Sequence, residues 1–228
     1  AQKLFFRWEA TKLQKYEKTI GQADHILSIA RHEADYFKEK YGNCIFLPAF
    51  HRFEEVSSLP GSGNYILYHG NLSVSDNSEV ILALARSVLH RIPHEVVVAG
   101  KNPSMDFRKR IARFPNIRLV ADPGDQELEK LIVQAHINLL FTPQATGIKL
   151  KLLHSLFAGR HCLVNPQMVE GSGLEMLCRV AGSEKELESQ IHGLMQQAFL
   201  ESELEKRKKA LKDYSNRASA EKILRLLT

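Results

Sequence analysis

The sequence predicts an α/β protein built on a doubly wound parallel sheet, with a second, partial α/β segment ahead of it. Two observations carry this reading. From Tyr65 onward, short apolar runs alternate with helical segments, the pattern of strands buried on both faces and joined by right-handed crossovers. The 228 residues, 44% of them hydrophobic, are enough for one large domain and part of another.

The first fifty residues read as helix, strand, helix, strand. FFRWEATKLQKYEKTIGQA has helical spacing and ends near Gly21, and ADHILSIA is a short strand. RHEADYFKEKYG is a helix closed by Gly42, and CIFLPAF is apolar until Pro48. Two short strands do not make a sheet, and the chain opens without Met in a helical pattern, so a piece of a longer protein is expected. SSLPGSGN, residues 57–64, is rich in Ser, Pro and Gly and marks a linker.

Beyond it, strands are expected at 65–69, 96–100, 117–122, 137–142, 162–166 and 178–182. Helices should begin near Asp76, Pro103, Asp125, Gly147, Gly171 and Ser183, several of them on good N-caps.

Composition narrows the function. No run approaches eighteen apolar residues, and no signal-peptide pattern opens the chain, so a cytoplasmic protein is expected. Cys44, Cys162 and Cys178 are odd in number, far apart and in apolar surroundings, the usage of buried reduced thiols. The net charge of +5 allows an anionic partner. The run Lys206, Arg207, Lys208, Lys209 reads as a solvated helix face or a membrane-surface contact. A nucleic-acid partner is not expected, because no basic region interleaves with aromatics. P-loop, H-E-x-x-H, C-x-x-C and G-x-S-x-G motifs are absent, and EGSG at 170–173 is only a fragment of a dinucleotide fingerprint. His90 and His94 are separated by Pro93, which argues against a metal pair. No metal or other cofactor is expected.

In an open parallel sheet, ligands bind beyond the carboxyl ends of the strands. The turns there are HGNLSVSDN, AGKNPS, ADPGD, TPQATG and NPQMVEGSG, all rich in small and polar residues. The fourth leads into TGIKLKLLHSLFAGRHCLV. If that helix starts at Gly147, Lys149 lies in its first turn, where the macrodipole disfavours a cation unless an anion is also present. Lys151 follows roughly 200° around the helix, so the two ammoniums do not share a face. Either one bends toward the helix start to meet an anion, or both snorkel from a partly buried helix.

These segments together resemble the C-terminal, nucleotide-sugar-binding domain of the GT-B glycosyltransferases, in the retaining group called family 4 or glycosyl transferase group 1. YILYHGNL, VVVAGK and NIRLVADPGDQELEKLIVQAHINLLFTP are similar to its first four strands and turns. TGIKLKLLHSLFAGRHCLV resembles its donor-site helix and next strand, and VEGSGLEML the following turn. YSNRASAEKILRLL resembles the lead-in to its last helix, and KYEKTIGQADHILSIARHEADYFKEKYG the end of its acceptor-side domain.

The resemblance implies a remnant of the acceptor-side domain at 1–56, the linker at 57–64, and the nucleotide-sugar-binding domain at 65–228. It implies transfer of a sugar from a nucleotide diphosphate sugar to a glycan or lipid-linked acceptor, in cell-surface polysaccharide synthesis, with a peripheral contact at the inner membrane face. The expected donor-binding residues are Gly70, Asn71, Gly100, Asp122, Gly124, Thr146, Gly147, Lys149, Lys151 and His154. Gly70 and Asn71 would approach the diphosphate, Asp122 to Gly124 the base, and Gly147 would lend backbone N–H groups. Lys151 would face the diphosphate leaving group. The group commonly carries two glutamates eight positions apart, where this chain has Thr146 and His154. Its usual basic residue in the first turn is also missing from GNLSVSDN. A non-catalytic binding or assembly module on the same fold is the alternative.

Overall fold

A computed structural model describes residues 2–144 and 150–227. The amino-terminal part consists of α1 (Gln2–Glu17), β1 (Ile26–Ser28), α2 (Arg31–Tyr41) and β2 (Cys44–Phe46). β1 and β2 pair in parallel, Ile26 beside Cys44. Helix α2 ends where expected because Gly42, at φ 83°, takes the left-handed conformation and returns its N–H to the Lys38 carbonyl.

The larger part holds a six-stranded, wholly parallel sheet. Its strands are β3 (Tyr65–Asn71), β4 (Glu95–Lys101), β5 (Ile117–Ala121), β6 (Ile137–Leu140), β7 (His161–Val164) and β8 (Arg179–Val180), in the order β5-β4-β3-β6-β7-β8. The connecting helices are α3 (Ser75–Ser87), α4 (Met105–Ile111), α5 (Asp125–Gln134), α6 (Leu150–Ala158), a single turn α7 (Pro166–Val169) and α8 (Glu184–Met195). Helices α9 (Glu201–Ala210) and α10 (Asn216–Leu227) finish the described chain. Ser104 and Ser183 cap their helices by accepting from the Phe107 and Glu186 N–H groups.

Side chains alternate along each strand, so the sheet has two apolar faces. Ile66, Tyr68, Val96 and Val98 pack beneath α3, α4 and α8, whereas Leu67, Val97 and Ala99 pack beneath α5 and α6. Burying one such side chain contributes about 1.5–3 kcal/mol. Among the described residues, no helix is long and apolar enough to cross a membrane.

Three expectations change. The helix expected near Gly171 is a turn followed by one short 3-10 turn at Glu175–Leu177, because Gly171 and Gly173 both adopt left-handed backbone, at φ 69° and 71°. The basic run on α9 is not uniformly solvated, since Arg207 is only 2% exposed. Cys44 and Cys162 are buried, but Cys178 is only partly so. Burial raises all three thiols above their ordinary range.

Candidate functional site

From β3 the chain winds outward to β5, then returns through α5 to the other side of β3 and continues as β6. The strand order therefore reverses between β3 and β6. Their helices leave toward opposite faces, α3 to one and α6 to the other, which opens a crevice at the carboxyl ends of these two strands.

Gly70 and Asn71 end β3 at this crevice. The Asn71 side chain folds its own turn by accepting from the Ser73 N–H and hydroxyl, at 3.1 and 2.8 Å. The Asn71 backbone carbonyl accepts from the Asn77 side-chain amide on α3 at 3.0 Å. Opposite, the Lys151 ammonium on α6 donates to Asn77 Oδ1 and to the Phe141 carbonyl beyond β6, both at 3.4 Å. It also stands 5.7 Å from the centroid of the Tyr68 ring. Asn77 thus binds α3 to β3 with its amino group and meets Lys151 with its oxygen. Gln144, past β6, donates to Asp76 on the first turn of α3 at 2.7 Å and spans the crevice from the same two sides.

The other expected residues divide along the sheet edge. Gly100 is a packing residue, because an added Cβ would lie 2.0 Å from the Gly70 carbonyl oxygen. Asp122 adopts left-handed backbone at φ 54°, as does Asn102 at φ 53° on the neighbouring strand end. Asp122 Oδ1 accepts from the Asn102 N–H at 2.6 Å and Oδ2 from Arg108 at 3.3 Å, so its carboxylate holds the ends of β4 and β5 together. Gly124 caps α5, and an added Cβ there would meet nothing. His154 lies one turn after Lys151, half-buried, with its ring edge-on to Phe53 at 5.2 Å. Burial, with Arg52 and His51 nearby, lowers its pKa and favours the neutral imidazole. Thr146, Gly147 and Lys149 lie outside the described residues.

Beneath the crevice is a pair that sequence reasoning missed. His69 on β3 is buried, with Nε2 3.4 Å from the Ser155 hydroxyl on α6. Burial, and then the charges of Lys151 and His154, push its pKa down to about 3. It is a neutral contact between the strand and the helix that carries Lys151. Asn77 and Gln144 were also missed. Asn77 in the first turn of α3 and Gln144 past β6 both stand among polar residues many of which could bond, so only the topology identifies them as crevice residues.

No protein-family model matches the sequence, and no curated protein matches it. Solved structures do. Sucrose-phosphate synthase from Thermosynechococcus elongatus superposes with a TM-score of 0.68 at 15% identity, over 96% of this chain and 61% of its own. The fold matches that of the GT-B glycosyltransferases. TarM shares this GT-B architecture with a TM-score of 0.69 at 11% identity, over 93% of this chain and 46% of its own. HepE from Anabaena, solved with UDP and glucose, gives 0.64 at 9% identity, over 90% of this chain and 63% of its own. The chain thus spans about half to two thirds of the length of these structures, and identities this low establish the GT-B fold alone.

Proposed function

We propose that this chain is the donor-binding half of a glycosyltransferase that moves a sugar from a nucleotide diphosphate sugar to a glycan or lipid-linked acceptor. The observation that carries the reading is the position of Lys151, whose ammonium lies at the strand-order reversal against Asn77 and the Phe141 carbonyl, Asn77 in turn being bonded to Asn71 at the end of β3. A departing nucleoside diphosphate gathers negative charge. A fixed ammonium near the start of a helix stabilises that charge more than it stabilises the intact donor, which lowers the barrier. The UDP present in structures of TarM and HepE supports the same ligand class. In this reading residues 57–64 link an acceptor-side remnant, 1–56, to the donor domain, 65–228. The whole protein acts in cell-surface polysaccharide synthesis at the cytoplasmic membrane face.

The test is thermal unfolding of the chain with UDP, GDP, ADP and CMP and their sugars, because a ligand that binds only the folded state raises the melting point. One nucleoside diphosphate should stabilise the chain, and a response to none would refute the reading. With only the end of an acceptor-side domain, the 228-residue chain alone should transfer no sugar, and turnover in a transfer assay would refute that part.

A second reading, a non-catalytic binding module, is favoured by His154. It packs against Phe53 as a half-buried imidazole where the resemblance implies a carboxylate. Tight nucleotide binding with no transfer by the longest natural form of the protein would decide for it.

A further inference from the structure

Two buried arginines lie at the opposite end of the sheet from the crevice, and neither forms an ion pair with a carboxylate among the described residues. Arg207 on α9 is 2% exposed and Arg160, just before β7, is 8% exposed. A buried cation is costly unless its donors are used. Arg207 Nη1 donates to the Gly159 carbonyl at 2.5 Å, the Ser58 hydroxyl at 3.0 Å and the Leu156 carbonyl at 3.4 Å. Its Nη2 donates to the Arg160 carbonyl, and its guanidinium stacks 4.5 Å from the Phe199 ring centroid. Arg160 Nη1 donates in turn to the carbonyls of Val133 at 2.6 Å and Ala135 at 3.3 Å.

These acceptors have a common origin. Leu156 and Gly159 belong to the last turn of α6 and its exit, and Val133 and Ala135 to the last turn of α5 and its exit. The final carbonyls of a helix lack partners within it, and a cation there also complements the macrodipole. Arg207 therefore closes α6, Arg160 closes α5, and Arg207 holds the backbone of Arg160. The Ser57 N–H adds a bond to the Phe157 carbonyl at 2.7 Å. The amino ends of these same two helices face the ligand edge of the sheet, α6 with Lys151 and α5 with Gly124.

We infer that Arg207 and Arg160 are positioning residues for the ligand site. Linked end to end, they set the height and tilt of α5 and α6, and through α6 they fix Lys151 opposite Asn77. The inference rests on the donor-binding reading. It differs from a simple stability role because it requires energetic coupling between Lys151, at the start of α6, and Arg207, which reaches from α9 to the carbonyls at the end of α6.

The experiment is a double-mutant cycle on the 228-residue chain, using whichever of UDP, GDP, ADP or CMP binds the wild type best. Arg207→Lys keeps the charge but cannot reach the same acceptors. Once shown to be folded, it should weaken binding about 10-fold. In a Lys151→Ala background the same change should cost less than about 2-fold, because the residue it positions is gone. Arg160→Lys should behave alike. If Arg207→Lys does not fold, Ser58→Ala, which removes one partner of the guanidinium, is judged by the same coupling. Unchanged affinity in a folded Arg207→Lys chain, or equal losses with and without Lys151, overturns the inference while leaving the donor site standing. Failure of the wild type to bind any of the four overturns the donor reading and the inference with it.

Discussion

Gly100 faces the Gly70 carbonyl so closely that an alanine Cβ would lie 2.0 Å from its oxygen and 2.7 Å from Leu72 Cγ. The ends of β3 and β4 can run side by side only because Gly100 has no side chain. Gly100→Ala should therefore destabilise the fold by about 2–3 kcal/mol, the upper part of the range for forced overpacking. A urea midpoint equal to wild type would contradict this.

The buried imidazole of His69 makes stability depend on pH. Its folded pKa of about 3 lies below the ordinary 6.5, so the unfolded chain binds the proton first. Stability from this group is complete above pH 6.5 and is lost as pH falls toward 3. Between pH 7 and 5 the loss should be about 2 kcal/mol. His154 and His161, also lowered mainly by burial, act in the same direction. Urea unfolding of wild type and His69→Leu at both pH values checks this, and an equal loss in the two proteins would exclude His69 as the source.

Much of the fold was legible because strands buried on both faces and helices with capping residues leave local marks. The runs at 65–69 and 96–100 are found within β3 and β4, Gly42 and Ser183 end and start helices as expected, and the helix expected near Pro103 begins at Met105. The EGSG turn misled because its glycines serve left-handed backbone rather than a helix start. At the site, Lys151 was conspicuous as a cation among leucines. Its partner Asn77 was not, since their meeting depends on strand order and not on sequence spacing. Arg207 was hidden in a basic run whose four members look alike until α9 is packed.

Asp122 binds two strand ends while holding left-handed backbone. Asp122→Ala removes both hydrogen bonds and keeps the unfavourable conformation, so it should cost about 1–2 kcal/mol. Asp122→Gly relieves the conformation but not the lost bonds, and should cost less. The order of the two unfolding midpoints is the test, and alanine at or above glycine would contradict the account.

Asp76 places a carboxylate on the crevice side opposite Lys151, held by Gln144. An anionic ligand there meets repulsion that Asp76→Asn removes. This variant should bind a nucleoside diphosphate about 2–5-fold more tightly, the scale of one partly exposed charge interaction. It should also lose a few tenths of a kcal/mol of stability at the start of α3. Calorimetric titration beside thermal unfolding separates the two effects, and weaker binding would place the anion elsewhere.

The most direct measurement is the dissociation constant of a nucleoside diphosphate for wild type, Lys151→Ala and Lys151→Gln, measured by calorimetry at low and moderate salt. If Lys151 faces the diphosphate, both variants should lose at least about 10-fold in affinity, as for a charge-assisted hydrogen bond. Their binding should also depend less on salt than that of wild type. Equal affinity in all three proteins would mean that Lys151 only ties α6 to Asn77 and Phe141, and the donor site would have to be sought elsewhere.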